Sequence, residues 1–522
     1  MTARKPDTTL QSYNAAVELV DHNLSQRPGK IAYIDDHGSY TYADLAARVN
    51  RCSNVLTRLG LTQEARILLC LTDTIDFPSV FLGAIKAGLV PVAVNTLLTS
   101  SDYDFMLQDS RAQALIVSTS LLSGFTPVLD HQPYLKHAIQ TGGNEPGYQQ
   151  LHNLMAAAGT EFDAAPTRPD DSCFWLYSSG STGTPKGTVH VQTSPVQTAQ
   201  LYGQGILGIQ ESDVVFSAAK LFFAYGLGNA LSFPLSVGAT TVLLGERPTP
   251  ASVSRILKQY RPTIFYGVPT LYSALLASTE LPKREELNLR RCTSAGEALP
   301  PDIGRRWLER TGVDILDGLG STEMLHIFLS NRPGEVRYGT SGKPVPGYDI
   351  RLINETGNPA PKGEIGELQV CGPTSAAYYW NNREKSRNTF LGPWTRSGDK
   401  YIESEGGYFT YCGRGDDMLK VSGIWVSPFE VEAALASHDS VLEAAVVGCA
   451  DENGLIKPKA FVVLRPDYAG APELSAALQQ HVKTRLAPYK YPRWIEFVSE
   501  LPKTATGKIQ RFKLRQERKE IG

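Results

Sequence analysis

Through the first two-thirds of the chain, short apolar runs rich in β-branched residues alternate with stretches whose apolar positions recur at helical spacing. The runs at 66–72 (RILLCLT), 91–95 (PVAVN) and 114–118 (ALIVS) enclose the helical pattern FPSVFLGAIKAG at 77–88. Three more follow, DVVFSAA at 213–219, ATTVLL at 239–244 and PTIFYGVP at 262–269. Continuous apolar strands separated by helices predict parallel sheets covered on both faces, an α/β architecture. The Pro- and Asp-rich stretch APTRPDDS at 165–172 suggests a division into two α/β subdomains, about 1–170 and 171–341.

From about residue 342 the texture changes to short strands with Gly, Pro and Asn turns, as in GEIGELQVCG and GGYFTYCG. A β-rich subdomain over about 342–414, a small barrel or antiparallel sheet, is expected there. The sequence CGRGDDMLK at 412–420 is flexible and charged, unlike either neighbour, and marks a hinge. Beyond it the strand patterns VLEAAVVGC and KPKAFVVLRP alternate with the helical patterns VSPFEVEAALASH and PELSAALQQHVKTRL, which predicts a small α+β domain over 415–522.

Charge and cysteine usage narrow the function classes. Fifty-one basic and 53 acidic residues leave a net charge of −2, which gives no basic footprint for nucleic acid or an anionic membrane. The seven cysteines are scattered singly without a C-x-x-C pair, as expected for free thiols in a reducing cytoplasm, and the polar start MTARKPDTTLQSYN has no signal-peptide core. Residues 221–245 carry no charge for 25 positions, long enough to span a bilayer, but Asn229, Pro234 and four glycines break the run into a helical piece and a strand.

The most specific chemistry lies at Ser178–Gly187, SSGSTGTPKG. Glycines let a backbone approach an anion, successive N–H groups converge on its oxygens, and the hydroxyls of Ser178, Ser179, Ser181, Thr182 and Thr184 add donors beside the Lys186 charge. Gly180 and Gly183 give the loop its freedom. The preceding CFWLYS reads as a buried strand delivering this loop to the carboxyl edge of a sheet, where ligands of open α/β folds bind. No Walker pattern occurs, and the G-x-G-x-x-G at 203–208 follows a helical stretch rather than a strand, so it is no dinucleotide fingerprint.

YSSGSTGTPKG resembles the phosphate loop of the acyl-adenylate-forming superfamily, and further motifs of that family recur in order along the chain. The resemblance implies that the loop holds the β- and γ-phosphates of ATP. Gly320-Ser-Thr322-Glu323 resembles the family's Gly-x-Thr-Glu motif, which implies that the threonine meets the α-phosphate and the glutamate holds Mg²⁺, the role a hard carboxylate ordinarily plays beside nucleotide phosphates. Ala295-Gly296-Glu297 resembles the adenine loop, Asp317 joins the nucleotide-contacting residues, and Asp399 with Arg414 resembles the ribose pair. Arg414 has a second reading as a surface ion pair at the hinge.

Near the end of the chain Pro502-Lys-Thr-Ala-Thr-Gly507-Lys508 is similar to the family's terminal motif, which makes Lys508 the catalytic candidate. A cation between the substrate carboxylate and the α-phosphate is what attack of one anion on another requires. By the same resemblance Asp416 is the hinge pivot, and Lys420 and Gly423 line the coenzyme A tunnel. Trp425 stands where several acyl-CoA synthetases have arginine. The exposed PxxxxGK pattern resembles bacterial acylation sites, which implies a lysine acetyltransferase as a partner acting on Lys508.

Two segments resemble the acyl pocket of the benzoate-CoA ligase subfamily, Lys220–Asn229 and Glu323–Phe328. Phe223, Ala224, Tyr225, Gly320, His326 and Ile327 are the implied substrate contacts, and aromatic walls favour an aryl ring. For His326 two readings stand: a bond to a ring hydroxyl or amino group, or a bond to backbone. The implied reaction joins a small aromatic acid to coenzyme A through an aryl-adenylate. Benzoate and 4-hydroxybenzoate are not separated, a cyclic aliphatic or short-chain acid and a carrier-protein-loading activity are the alternatives, and monomer or homodimer is open.

Overall fold

A computed structural model of the chain describes residues 12–178, 185–415, 417–421, 424–452, 455–503 and 509–516. Of the residues singled out above, Ser179, Gly180, Ser181, Thr182, Gly183, Thr184, Asp416, Gly423 and Lys508 lie outside these. Lys420 stands in the short strand Leu419–Val421.

Two large sheets carry the first two-thirds of the chain. The first has eight strands, with the parallel members Val90–Ala93, Arg66–Cys70, Ala114–Ser118 and His137–Thr141 at its centre. One side of it is built from β1 (Ser172–Ser178), parallel to Val90–Ala93, and β2 (Lys186–Val191), antiparallel to β1. The second sheet has nine strands, among them the parallel neighbours β3 (Arg291–Ser294) and β4 (Ile315–Gly320), followed by the antiparallel β5 (Ile327–Ser330). A two-residue strand, β6 (Tyr378–Tyr379), returns to the edge of the first sheet beside β2.

The apolar runs read as strands are buried along their length, as sheets covered on both faces require. The helices Tyr42–Arg58 and Asp76–Lys86 belong to one core together with Tyr33 of the second sheet and Ile67 and Leu69 of the first. Thr41 begins the first of these helices through a capping box with Asp44, whose carboxylate returns to the Thr41 N–H. Among the described residues no helix is long and apolar enough to cross a membrane. The uncharged stretch 221–245 forms short helical segments over 224–237 and the strand Thr240–Val242.

The expected division near residue 170 does not separate the two sheets. The early hairpin Ile31–Asp35 and Gly38–Thr41 joins the nine-stranded sheet by pairing with Thr240–Val242, while β1 and β2 join the sheet built by residues before 170. Each block therefore lends strands to the other's sheet. The β-rich region is a five-stranded antiparallel sheet that includes β7 (Trp394–Glu403) and β8 (Phe409–Arg414).

Beyond β8 a three-stranded sheet carries its own core with the helix α1 (Pro428–Ala436). The last described helix, α2 (Arg511–Gln516), is fastened by a buried charge pair: Arg511, 8% exposed, makes three hydrogen bonds to Glu432 at 2.8, 2.9 and 3.3 Å and lies 4.2 Å over the Phe429 ring. Glu432 also accepts from the Val446 N–H at 2.7 Å. Removing Glu432 leaves the buried Arg511 with only the more distant Asp417 carboxylate at 3.9 Å, so Glu432→Ala is expected to destabilise this unit by about 3 kcal/mol. A lowered midpoint of the first unfolding transition is the check, and an unchanged midpoint contradicts it.

Candidate functional site

β1 and β2 form a hairpin whose connection is the glycine- and hydroxyl-rich loop. Ser178 and Lys186 face one another in the register as its two posts. The strand expected from CFWLYS is β1, and the loop leaves it at the end that continues the parallel direction of Val90–Ala93. The Lys186 ammonium sits 4.7 Å from the centre of the Tyr379 ring. Its pKa is lowered by burial, against the opposing pull of the Glu323 carboxylate.

β3 and β4 deliver the second half of the site from the other sheet. Ala295, Gly296 and Glu297 follow β3, Asp317 lies in β4 opposite Ser294, and Gly320 ends β4 just before Ser321, Thr322 and Glu323. A side chain at Gly320 would put a Cβ 2.7 Å from the His326 carbonyl oxygen, so only glycine allows the tight return into β5. Asp317 is buried, accepts weakly from the Leu299 N–H at 3.4 Å, and has its pKa raised well above the usual carboxylate range by burial.

Glu323 is where the two sheets meet. Its Oε1 accepts from the Tyr379 hydroxyl at 2.8 Å and from the Ser178 hydroxyl at 3.3 Å, and its backbone carbonyl accepts from the Ala376 N–H at 2.7 Å. His190 of β2 bonds through Nε2 to the Thr322 carbonyl at 2.8 Å, and burial pushes its pKa down to about 4. Both side-chain bonds fall on one carboxylate oxygen, which leaves Oε2 as the hard donor for a divalent cation; the residues present fit the Mg²⁺ role. Among the described residues no group of three or more metal-ligating side chains converges.

Asp399 and Arg414 stand opposite one another on β7 and β8, with a guanidinium nitrogen 3.2 Å from the carboxylate. Asp399 is buried and Arg414 about half exposed, and the same guanidinium nitrogen also donates to the Ser397 carbonyl. The ion-pair reading of Arg414 is therefore present in the geometry, with Asp399 as its partner.

Of the expected acid-binding residues, Tyr225 and His326 come together with their rings 5.4 Å apart, while Phe223 and Ala224 pack against a different core cluster from Tyr225 and Ile327. Tyr225 lies in the helix Ala224–Leu227 entered from Phe223, and its hydroxyl meets the Thr293 hydroxyl on β3 at 2.5 Å. His326 is 2% exposed and surrounded by the rings of Tyr202, Tyr225 and Phe233, centroids 4.5–5.4 Å away. Its Nε2 meets the Tyr225 carbonyl at 3.2 Å and the Asn229 carboxamide oxygen at 3.1 Å, so the backbone-bonded reading of this residue is realised. A side chain at Gly228 would collide with the imidazole. Ile327 is buried in β5, while Phe223, Ala224 and Tyr225 keep partial exposure on the open side.

Three contributors were not legible in the sequence: Tyr379, His190 and Asn229. Tyr379 lies in a two-residue strand, too short for periodicity to reveal. His190 sits in a β-branched run whose pattern reads only as strand. Asn229, within an uncharged helical stretch, registered only as an interruption.

Burial pushes the His326 pKa down to about 3. A histidine kept neutral in this way contributes stability that is intact above its unfolded value near 6.5 and is lost as the pH falls toward 3. The buried Asp317 runs the other way, since acid relieves it. The difference between wild type and His326→Gln isolates the imidazole: between pH 7 and 5 wild type should lose more stability than the variant, and parallel unfolding curves would contradict it.

Comparison with known proteins places this geometry in a family. Residues 20–380 match the model of the AMP-binding enzymes and residues 430–508 that of the AMP-binding enzyme C-terminal domain. The chain is 63% identical over 508 residues to a benzoate–CoA ligase of Thauera aromatica, covering 97% of this chain and 96% of that one. It is 52% identical over 516 residues to a 4-hydroxybenzoate–CoA/benzoate–CoA ligase of Rhodopseudomonas palustris, covering 97% and 94%. A crystal structure of a benzoate CoA ligase from Burkholderia xenovorans superposes with a TM-score of 0.91 at 54% identity over 97% of this chain and all of its own. That of an anthranilate CoA ligase in complex with anthranoyl-AMP gives 0.94 at 43% identity, covering 98% of each chain. With both family models matched in order over most of its length, the chain belongs to the AMP-binding enzymes.

Proposed function

We propose that this chain is an ATP-dependent, AMP-forming acid–thiol ligase whose acid is benzoate or a ring-substituted benzoate. The observation that carries the reading is the bond from Ser178 to Glu323, which joins the post of the anion loop to a carboxylate only three residues from the aromatic cluster at His326. The strand end that leads into the Gly- and hydroxyl-rich segment thus adjoins a hard carboxylate, which supports reading that segment as the phosphate loop. Support comes also from the Thauera and Rhodopseudomonas relatives, both named as benzoate–CoA ligases.

The reaction has two steps. A carboxylate oxygen of the acid attacks the α-phosphorus of ATP, the bond to the bridging oxygen of the β-phosphate breaks, and pyrophosphate leaves. The thiol of coenzyme A then attacks the acyl carbon of the mixed anhydride, and AMP departs as a good leaving group. The loop at 178–187 holds the β- and γ-phosphates with Lys186, and Glu323 would hold the Mg²⁺ that accompanies them, an ion that would supply charge neutralisation at the phosphates. Thr322 and Lys508 hold the α-phosphate, Asp399 takes the ribose hydroxyls beside Arg414, and Ala295–Glu297 and Asp317 border the base.

The aromatic cluster selects the acid. Tyr225 and Phe223 present ring faces, Ala224 leaves room for a flat ring, and His326 with Ile327 closes the far end, which excludes a long acyl chain sterically. The hinge at Asp416 and the 420–423 segment belong to the second step, in which the small domain presents a different face. Acetylation of Lys508 would remove its charge and with it the first step.

AMP formation measured with ATP, Mg²⁺ and coenzyme A over benzoate, 4-hydroxybenzoate, 2-aminobenzoate, cyclohexanecarboxylate and hexanoate tests the reading. Turnover is expected for aryl acids, with a loss of about a hundredfold or more in Lys508→Ala. Preference for hexanoate over benzoate would contradict the proposed pocket, and full activity in the variant would contradict the role of the lysine.

A further inference from the structure

Two opposite charges flank the mouth of the phosphate loop, and one buried side chain touches both. Tyr379 is 3% exposed, its hydroxyl donates to Glu323 Oε1 at 2.8 Å, and its ring lies 4.7 Å from the Lys186 ammonium. Glu323 acts on Lys186 as a nearby charge, not through a hydrogen bond. Left to themselves in a half-buried site, such charges attract strongly enough to close on each other. A lysine paired with that carboxylate would be withdrawn from phosphate.

The backbone holds Tyr379 firmly in this position. β6 pairs with β2 so that Tyr379 lies opposite Thr188, two residues beyond Lys186. The Ala377 and Trp380 N–H groups donate to the Val189 and Gly187 carbonyls at 2.9 and 2.8 Å, and the Tyr379 N–H to the Ser386 hydroxyl at 3.0 Å. The Phe390 ring packs 5.2 Å from the tyrosine ring. Burial and the adjacent carboxylate keep the phenol protonated, a donor throughout the working range.

We propose that Tyr379 is a positioning residue of the nucleotide site, a spacer whose hydroxyl orients Glu323 while its ring props Lys186, so that both charges face the incoming triphosphate and not each other. This rests on the reading of the loop as an ATP site. Cation–π support and a phenol–carboxylate bond come from the same side chain, and two substitutions separate them. Tyr379→Phe keeps the ring and removes the hydroxyl; Tyr379→Leu removes both.

The full chain and both variants are titrated calorimetrically with Mg²⁺ and α,β-methylene-ATP, without acid. Adenylation is then followed by ATP–pyrophosphate exchange, and the second step by coenzyme A acylation from synthetic benzoyl-AMP. Tyr379→Leu is expected to weaken binding of the analogue about tenfold and to raise KM for ATP alike. KM for benzoate at saturating ATP and the rate from benzoyl-AMP should stay within about twofold, since Tyr379 touches neither the acid nor the groups of the second step. Tyr379→Phe should keep affinity within about threefold while slowing exchange about tenfold, because the ring remains but the carboxylate is no longer aligned.

Wild-type affinity in Tyr379→Leu overturns the proposal, as does a uniform loss in which the benzoyl-AMP step falls together with adenylation. Should wild type bind the analogue yet activate no aryl acid, the proposed substrate fails while the binding titration still decides the role of Tyr379.

Discussion

The site depends on one carboxylate held across a seam. Glu323 comes from the carboxyl end of a strand in the nine-stranded sheet and receives hydrogen bonds from Ser178 and Tyr379, which belong to the eight-stranded one. His190 reinforces the seam by bonding to the Thr322 carbonyl, and Ala376 by donating to that of Glu323. Parallel strands leave unpaired backbone groups and converging loops at their carboxyl ends, which is where α/β folds bind ligands. Bringing two such edges together sets Ser178 and Tyr379 of one sheet against the Glu323 carboxylate delivered by the other.

The aromatic cluster follows from the same arrangement. Gly320 permits the chain to turn back directly after β4, so that His326 and Ile327 enter β5 a few residues from Glu323. Gly228 admits the imidazole against the helical segment that carries Tyr225 and Asn229, and the His326 Nε2 bonds fix the ring there. Burial keeps that imidazole neutral, so the cluster presents rings and no added charge.

Much of this was readable from residue order, and the exceptions have physical causes. Strands such as Arg66–Cys70 and Ala114–Ser118 announce themselves because burial on both faces demands unbroken apolar runs. The strand leading into the loop, CFWLYS, is legible because its unbroken apolar run is buried in the sheet, whereas residues 179–184 of the loop itself lie outside the described residues. The division near 170 misled because a Pro- and Asp-rich stretch marks a loop, and a loop says nothing about which sheet its flanking strands join. Pairing of Ile31–Asp35 with Thr240–Val242 is set by contacts across two hundred residues, without a local signature. Tyr379 was hidden for a related reason: its strand has two residues, and its importance lies entirely in what tertiary structure places around it.

Mass-spectrometric detection of the enzyme-bound product after incubation with benzoate and MgATP, before and after adding coenzyme A, tests the central claim most directly. The account predicts stoichiometric benzoyl-AMP with pyrophosphate release, converted to benzoyl-CoA and AMP when the thiol is supplied. Formation of ADP and phosphate, or of benzoyl-CoA with no adenylate preceding it, would contradict it.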